Sequence, residues 1–169
     1  MNQDLIQTGD ILHCRGKRLI SRLIMRFTKS KWSHTALAIR IDGKLFIIDA
    51  QRDGLNLRPF DAWHSKYGYK ILVCRTMKAN WMFSKSYIKE RAMGKIGVTA
   101  YDFESLFIRY PWKLLTGKWQ NRGSKEDDRF YCSEFVAWTY SVPNWFEMSP
   151  ELIYEWCIQN GFQVIQKNY

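Results

Sequence analysis

An α+β fold is what this sequence predicts, and three observations carry it. Asp42-Gly43 stands between two apolar runs, the mark of an antiparallel hairpin. Short apolar runs at 11–14, 69–75 and 162–165 read as further strands. Stretches with helical spacing or helix punctuation lie at 17–27, 80–93, 132–140 and 149–161. The chain has 169 residues, which fits one domain spanning 1–169 whose core needs no disulfides.

Along the chain, Thr8-Gly9-Asp10 is turn chemistry leading into the strand at 11–14, which Arg15 and Gly16 end. From 17 to 27, Leu19, Ile20, Leu23, Ile24 and Phe27 recur at helical spacing, with Lys17, Arg18, Arg22 and Arg26 between them. The expectation is a surface helix with its apolar face on the core and a basic outer face, the competing role being membrane or phosphate binding. The hairpin runs from 33 to 51, and Asp-Gly favours a two-residue type I′ turn that pairs Ile41 with Lys44. Counting back, Ala38 meets Ile47, Ala36 meets Asp49 and His34 meets Gln51. Asp49 therefore projects to the same side as His34, at a diagonal cross-strand position.

Residues 54–60 read as loop or short strand, and His64 falls in what reads as a polar loop. The helix at 80–93 has Asn80 as its N-cap and Gly94 at its end. Residues 104–130 mix aromatic and basic side chains and then turn polar, which reads as a lid or insertion. The helix at 132–140 carries Cys132 in its first turn. Ser149-Pro150 opens the last helix, Gly161 closes it, and a final strand follows.

Net charge is +10, which favours phosphates, anionic headgroups or acidic polymers without choosing among them. No helix-turn-helix, RNP-like or zinc-finger pattern supports nucleic-acid binding, whereas transient contact with a membrane surface stays open. With 8 Trp, 9 Tyr and 10 Phe the chain is rich in rings, and some are expected to line a groove. Core packing accounts for most tryptophans, but Trp112, Trp119 and Trp145 are candidates for stacking on substrate or an acyl chain. No signal-like leader or bilayer-spanning run is seen, so a cytoplasmic protein with reduced thiols is expected. The four cysteines form no CxxC pair, and His13 and Cys14 point to opposite faces of a strand, so no metal site and no cofactor are expected. Cys74 and Cys157 read as core thiols.

A thiol becomes a nucleophile when it is held as thiolate, and a helix N-terminus with a nearby imidazole does this. Cys132 is the one cysteine placed for both. Its base needs a third group to orient it, and His34 with Asp49 on one hairpin face meets that need if the Cys132 helix packs there. The Cys132 N–H is placed for an oxyanion. Tyr131 and Asp10 are further candidates for shaping the oxyanion hole or pocket, each with a structural reading beside it.

These residues resemble a known family. Gly9-Asp10-Ile11, Ser33-His34-Thr35-Ala36-Leu37, Ile47-Ile48-Asp49-Ala50, Tyr101-Asp102 and Tyr131-Cys132-Ser133-Glu134-Phe135-Val136 fall in the order of circularly permuted NlpC-like, papain-like cysteine hydrolases, the YiiX/YebB-like group. The resemblance implies a small papain-like fold, a cysteine-bearing helix on an antiparallel sheet or half-barrel, with histidine before cysteine in the chain. It also implies cleavage or transfer at an amide or ester through a thioester, on peptide- or acyl-containing substrates such as cell-wall peptides or lipids. The third position in relatives is often His or Glu; here it is Asp49, one methylene shorter than Glu, and Gln51 stands as its substitute. The rival reading is a papain-like binding module that captures acylated or anionic ligands with little turnover.

Overall fold

The computed structural model describes residues 1–51, 53–97, 100–101, 115–116 and 129–168. Most of the lid expected at 104–130, with Asp102, Trp112 and Trp119, lies outside the described residues. Within them the chain builds a six-stranded antiparallel sheet from β1 (Ile11–Arg15), β2 (His34–Ile41), β3 (Lys44–Gln51), β4 (Gly54–Pro59), β5 (Lys70–Thr76) and β8 (Phe162–Lys167), in the order β4-β3-β2-β1-β5-β8. A small parallel pair, β6 (Ala100–Tyr101) and β7 (Arg129–Phe130), stands apart. Among the described residues the helices of eight or more residues are α1 (Leu19–Phe27), α2 (Phe60–Tyr67), α3 (Lys85–Met93), α4 (Cys132–Thr139) and α5 (Pro150–Gln159). None of the helices among the described residues is long and apolar enough to cross a membrane.

The hairpin forms in the expected register. Ile41 pairs with Lys44, Arg40 with Leu45 and Ala38 with Ile47, and the ladder continues to Leu37 and Ile48. Asp42 and Gly43 both take positive φ, 48° and 76°, as a type I′ turn requires. Strand alternation then sorts the side chains into two cores. Ile11, Leu37, Ile39 and Ile48 face Phe135, Val136 and Ala137 of α4 together with residues of α3 and α5. Leu12, Cys14, Ala36, Ala38 and Ile47 face Phe60 and Trp63 of α2. Each fully buried aliphatic side chain contributes about 1.5–3 kcal/mol, so a one-residue slip that exchanged the two faces would be strongly disfavoured.

Three readings of the sequence need correction. Residues 60–67, with His64, are a helix; Gly68 at φ 58° ends it, and the His64 ring stacks on Phe60. The 80–93 segment is two pieces, a 3₁₀ turn Trp81–Phe83 capped by Asn80 and then α3 capped by Ser84, because two N-cap side chains compete over five residues. Three of the apolar positions expected to pack on the core do not: Leu19, Ile20 and Leu23 are exposed, whereas Ile24 is half-buried, and the helix rests on Ser21, which lies so close to Gly16 that a Cβ there would collide with it. Among the described residues both sides of the sheet are covered by other helices, one by α2 and the other by α3, α4 and α5.

Candidate active site

Cys132 is the first residue of α4, and α4 packs on the face of the sheet opposite His34, so the condition set from the sequence, that the Cys132 helix pack on the His34 face, is not met. The two still come near each other, because each begins its element: His34 opens β2 and Cys132 opens α4, close enough for the charge on each to shift the pKa of the other. The helix is fixed at both ends. Glu134 accepts the Tyr131 N–H at 3.1 Å at the start, and the Tyr140 hydroxyl donates to the Gly9 carbonyl at the finish.

His34 Nε2 lies 2.8 Å from Asp49 Oδ2. Asp49 is fully buried and, as a carboxylate, only accepts, so Nε2 carries the proton and Nδ1 is the nitrogen left for Cys132. Oδ2 also accepts from Trp63 Nε1 at 2.8 Å and from Gln51 Nε2. Arg58 Nη1 stands 3.6 Å from Oδ1, too far for a hydrogen bond. Gln51 thus supports Asp49 and does not replace it: its amide nitrogen is 3.3 Å from His34 Nε2, and two donors make no bond. Tyr69 lies over the imidazole, centroids 5.3 Å apart and rings nearly parallel.

These contacts set the charge states. Burial would lower the His34 pKa, but Tyr69, the Cys132 sulfur and the Asp49 hydrogen bond raise it well above its ordinary value. The Tyr69 phenol has its own pKa raised, chiefly by burial, so at neutral pH it is uncharged and the thiolate and Asp49 hold the imidazolium. Burial would raise Asp49, yet the bonds from His34, Gln51 and Trp63 hold it below the usual carboxylate value. For Cys132, burial pushes up while the His34 charge, the His34 hydrogen bond and the backbone N–H groups of Thr35 and Ser133 bring the thiol below its ordinary value.

All four cysteines are buried free thiols, and burial acts alike on each. Cys14 and Cys157 are raised by it, and Cys74 is pushed up to about 12. Cys132 alone goes down: the His34 charge reaches Cys14 as well, but only at Cys132 do the imidazole and the backbone N–H groups of Thr35 and Ser133 together outweigh burial. Donors crowd both anionic atoms of the trio, which suits a thiolate and a carboxylate and does not suit a cation. Among the described residues no group of three or more His, Cys, Asp or Glu is arranged to hold a metal ion.

The other candidates lie elsewhere. Asp10 takes Arg75 Nε and Nη2, each at 2.7 Å, and the Gln7 N–H, so it ties β1 to β5. The Tyr131 hydroxyl donates to the Met148 carbonyl at 2.7 Å, an anchor for the segment before α5. Trp145 packs on Phe130. His13 is buried between Trp32 and Tyr154, its pKa brought down to about 3 by burial. Trp63 and Tyr69 were not singled out by sequence reasoning. The signal for Trp63 was present in Pro59 and Gly68, which bracket an eight-residue helix in the usual Pro-first, Gly-last order.

Comparison with known proteins follows the same division of the chain. Residues 5–79, less than half of it, match a family model described as a transglutaminase-like domain; that stretch carries His34 and Asp49 but not Cys132. No curated protein matches the sequence. Among solved structures, the crystal structure of metalloprotein yiiX from Escherichia coli O157:H7 superposes with a TM-score of 0.66 at 20% identity, over 96% of this chain and 98% of that chain. At this identity the likeness is one of fold, and the fold it shows is papain-like α+β, with the histidine strand ahead of the cysteine helix.

Proposed function

We propose that the chain is a single cysteine hydrolase domain that cleaves amide or ester bonds through a thioester. The observation that carries this is His34, which holds a buried carboxylate on one ring nitrogen and lies beside a thiol whose pKa its charge lowers. The Cys132 thiolate attacks the substrate carbonyl carbon, forming a C–S bond and an oxyanion. The Cys132 N–H, in the first turn of α4 and not used by the helix, donates to that oxyanion. Collapse breaks the bond to the leaving group, which takes the proton from His34 Nδ1. Water then attacks the thioester with His34 as base, the C–S bond breaks, and the acid product leaves the thiolate paired with imidazolium. Asp49 holds the tautomer and stays ionised throughout.

The test is iodoacetamide labelling of each cysteine against pH, read by peptide mass spectrometry, on the wild type and His34→Ala. Apparent pKa is the readout, because Cys132 is only 5% exposed and its absolute rate also reflects access. Cys132 is expected to show an apparent pKa below the ordinary thiol range of about 8.5, and to lose it in His34→Ala. An ordinary Cys132 profile in both proteins refutes the reading and leaves the binding module in its place.

A further inference from the structure

We infer that α1 is a docking element for an anionic bilayer surface. Leu19, Ile20 and Leu23 stand at i, i+1 and i+4 and form one strip, and they are 74%, 46% and 38% exposed. Three large aliphatic side chains in line on a nine-residue helix, turned away from the core, are an unfavourable way to meet water.

The surrounding charge selects the partner. Arg22 and Arg26 share the helix, and a cleft at its side is lined by Arg15, Lys17, Arg22 and Lys70. A second copy set on the strip would bring these cations against their own duplicates, and an uncharged apolar surface would have to desolvate them unpaired. A bilayer with anionic headgroups meets both requirements, taking the aliphatic strip at the acyl boundary while its phosphates face the cations. The chain's net charge of +10 acts in the same direction.

The placement gives the docking a purpose. α1 is an excursion between the end of β1 and the start of β2, closed by the Ser33 N–H to Cys14 carbonyl bond at 2.9 Å and the Gly16 N–H to Ser33 Oγ bond at 2.9 Å. Cys14 pairs with His34 across the two strands, so the strip projects from the end of the sheet that holds the trio. Arg18 braces the helix start on the Lys66 carbonyl of α2 at 3.2 Å. Docking therefore turns the His34 end of the sheet toward lipid, a consequence that rests on the proposed hydrolase site, whereas the docking itself does not.

The experiment is cosedimentation of the full chain carrying Cys132→Ala with extruded vesicles, either pure phosphatidylcholine or phosphatidylcholine mixed with phosphatidylglycerol, at low and high salt. Because the nucleophile is absent, failure of the hydrolase reading leaves this readout untouched. The expected result is sedimentation with the phosphatidylglycerol vesicles, weakened by salt and absent with phosphatidylcholine alone. Combining Leu19→Ser, Ile20→Ser and Leu23→Ser should lower partitioning about 100-fold, and Arg22→Gln or Arg26→Gln about 5-fold each. All these positions are on the surface helix, and an unchanged thermal melt verifies folding. No sedimentation with anionic vesicles, or sedimentation that the triple variant leaves unchanged, overturns the inference. So does a dimer in light scattering that the triple variant abolishes, which would assign the strip to a second copy.

Discussion

Asp49→Asn removes one negative charge from the buried end of the trio and almost no volume, so it isolates what the carboxylate does. In the wild type Oδ2 accepts from His34 and Trp63 at 2.8 Å each and from Gln51. An amide oxygen can still accept, but each bond loses its charge assistance, about 1 kcal/mol apiece. The imidazolium also loses a counter-charge worth on the order of 4 kcal/mol at 4 Å and an effective dielectric of 20. Part of this is recovered by relaxation, which leaves about 2–4 kcal/mol against the imidazolium and hence against the thiolate it stabilises. Cys132 labelling by iodoacetamide at neutral pH should therefore fall roughly 30- to 900-fold. In strongly alkaline solution the thiol ionises without help, and the two proteins should converge. Labelling profiles that superimpose over the whole pH range would show that Asp49 does not hold the imidazolium. A larger loss in Gln51→Ala than in Asp49→Asn would transfer the role to Gln51.

Three other substitutions separate what the trio needs from what the fold needs. Trp63→Phe keeps the ring packing but deletes the 2.8 Å bond to Asp49; it should cost about 1.5–3 kcal/mol in urea unfolding and reduce Cys132 labelling by less than Asp49→Asn does. Asp10→Ala leaves Arg75 unpaired in a half-buried setting; a loss of about 3 kcal/mol with an unaltered Cys132 profile is expected, and an altered profile would return Asp10 to the site. His13→Phe tests the pH dependence of stability. His13 is neutral when folded down to about pH 3, whereas in the unfolded chain it protonates near 6.5. Between these values the unfolded state binds the extra proton, so the wild type should lose up to about 1.4 kcal/mol per pH unit as pH falls, a loss the variant is spared. Equal slopes for the two proteins would contradict this.

Much of this geometry was legible in the sequence because it depends on local rules. Asp42-Gly43 fixes the turn, the turn fixes the register, and alternation then puts His34 and Asp49 on one face. Ser149-Pro150 and Gly161 mark the last helix in the same local way. What escaped was decided by packing at long range. Which sheet face receives α4 depends on how α2, α3 and α5 fill the two sides, and residue spacing within α4 does not contain that. The outward turn of Leu19, Ile20 and Leu23 escaped for a related reason: periodicity shows that a helix has an apolar strip but not whether the protein has anything to place beneath it. The part Trp63 plays escaped because it is one indole N–H given by α2 to the sheet face it covers, a contact that helix punctuation at Pro59 and Gly68 does not encode.

The two-residue turn at Asp42-Gly43 also acts as a ruler for the chemistry. The bond between His34 and Asp49 exists because the two-residue turn sets how far along each strand the two side chains lie, His34 eight residues back from it and Asp49 six residues beyond it, with both on one face. One residue inserted between Asp42 and Gly43 with β2 held in place would rotate the far strand by half a repeat. Asp49 would then face Leu37 and Ile39 on the α4 side of the sheet, and Ile48 or Ala50 would come to lie beneath the imidazole. The hairpin tip, remote from Cys132 and built from two surface residues, is thus as intolerant of length change as the trio is of substitution.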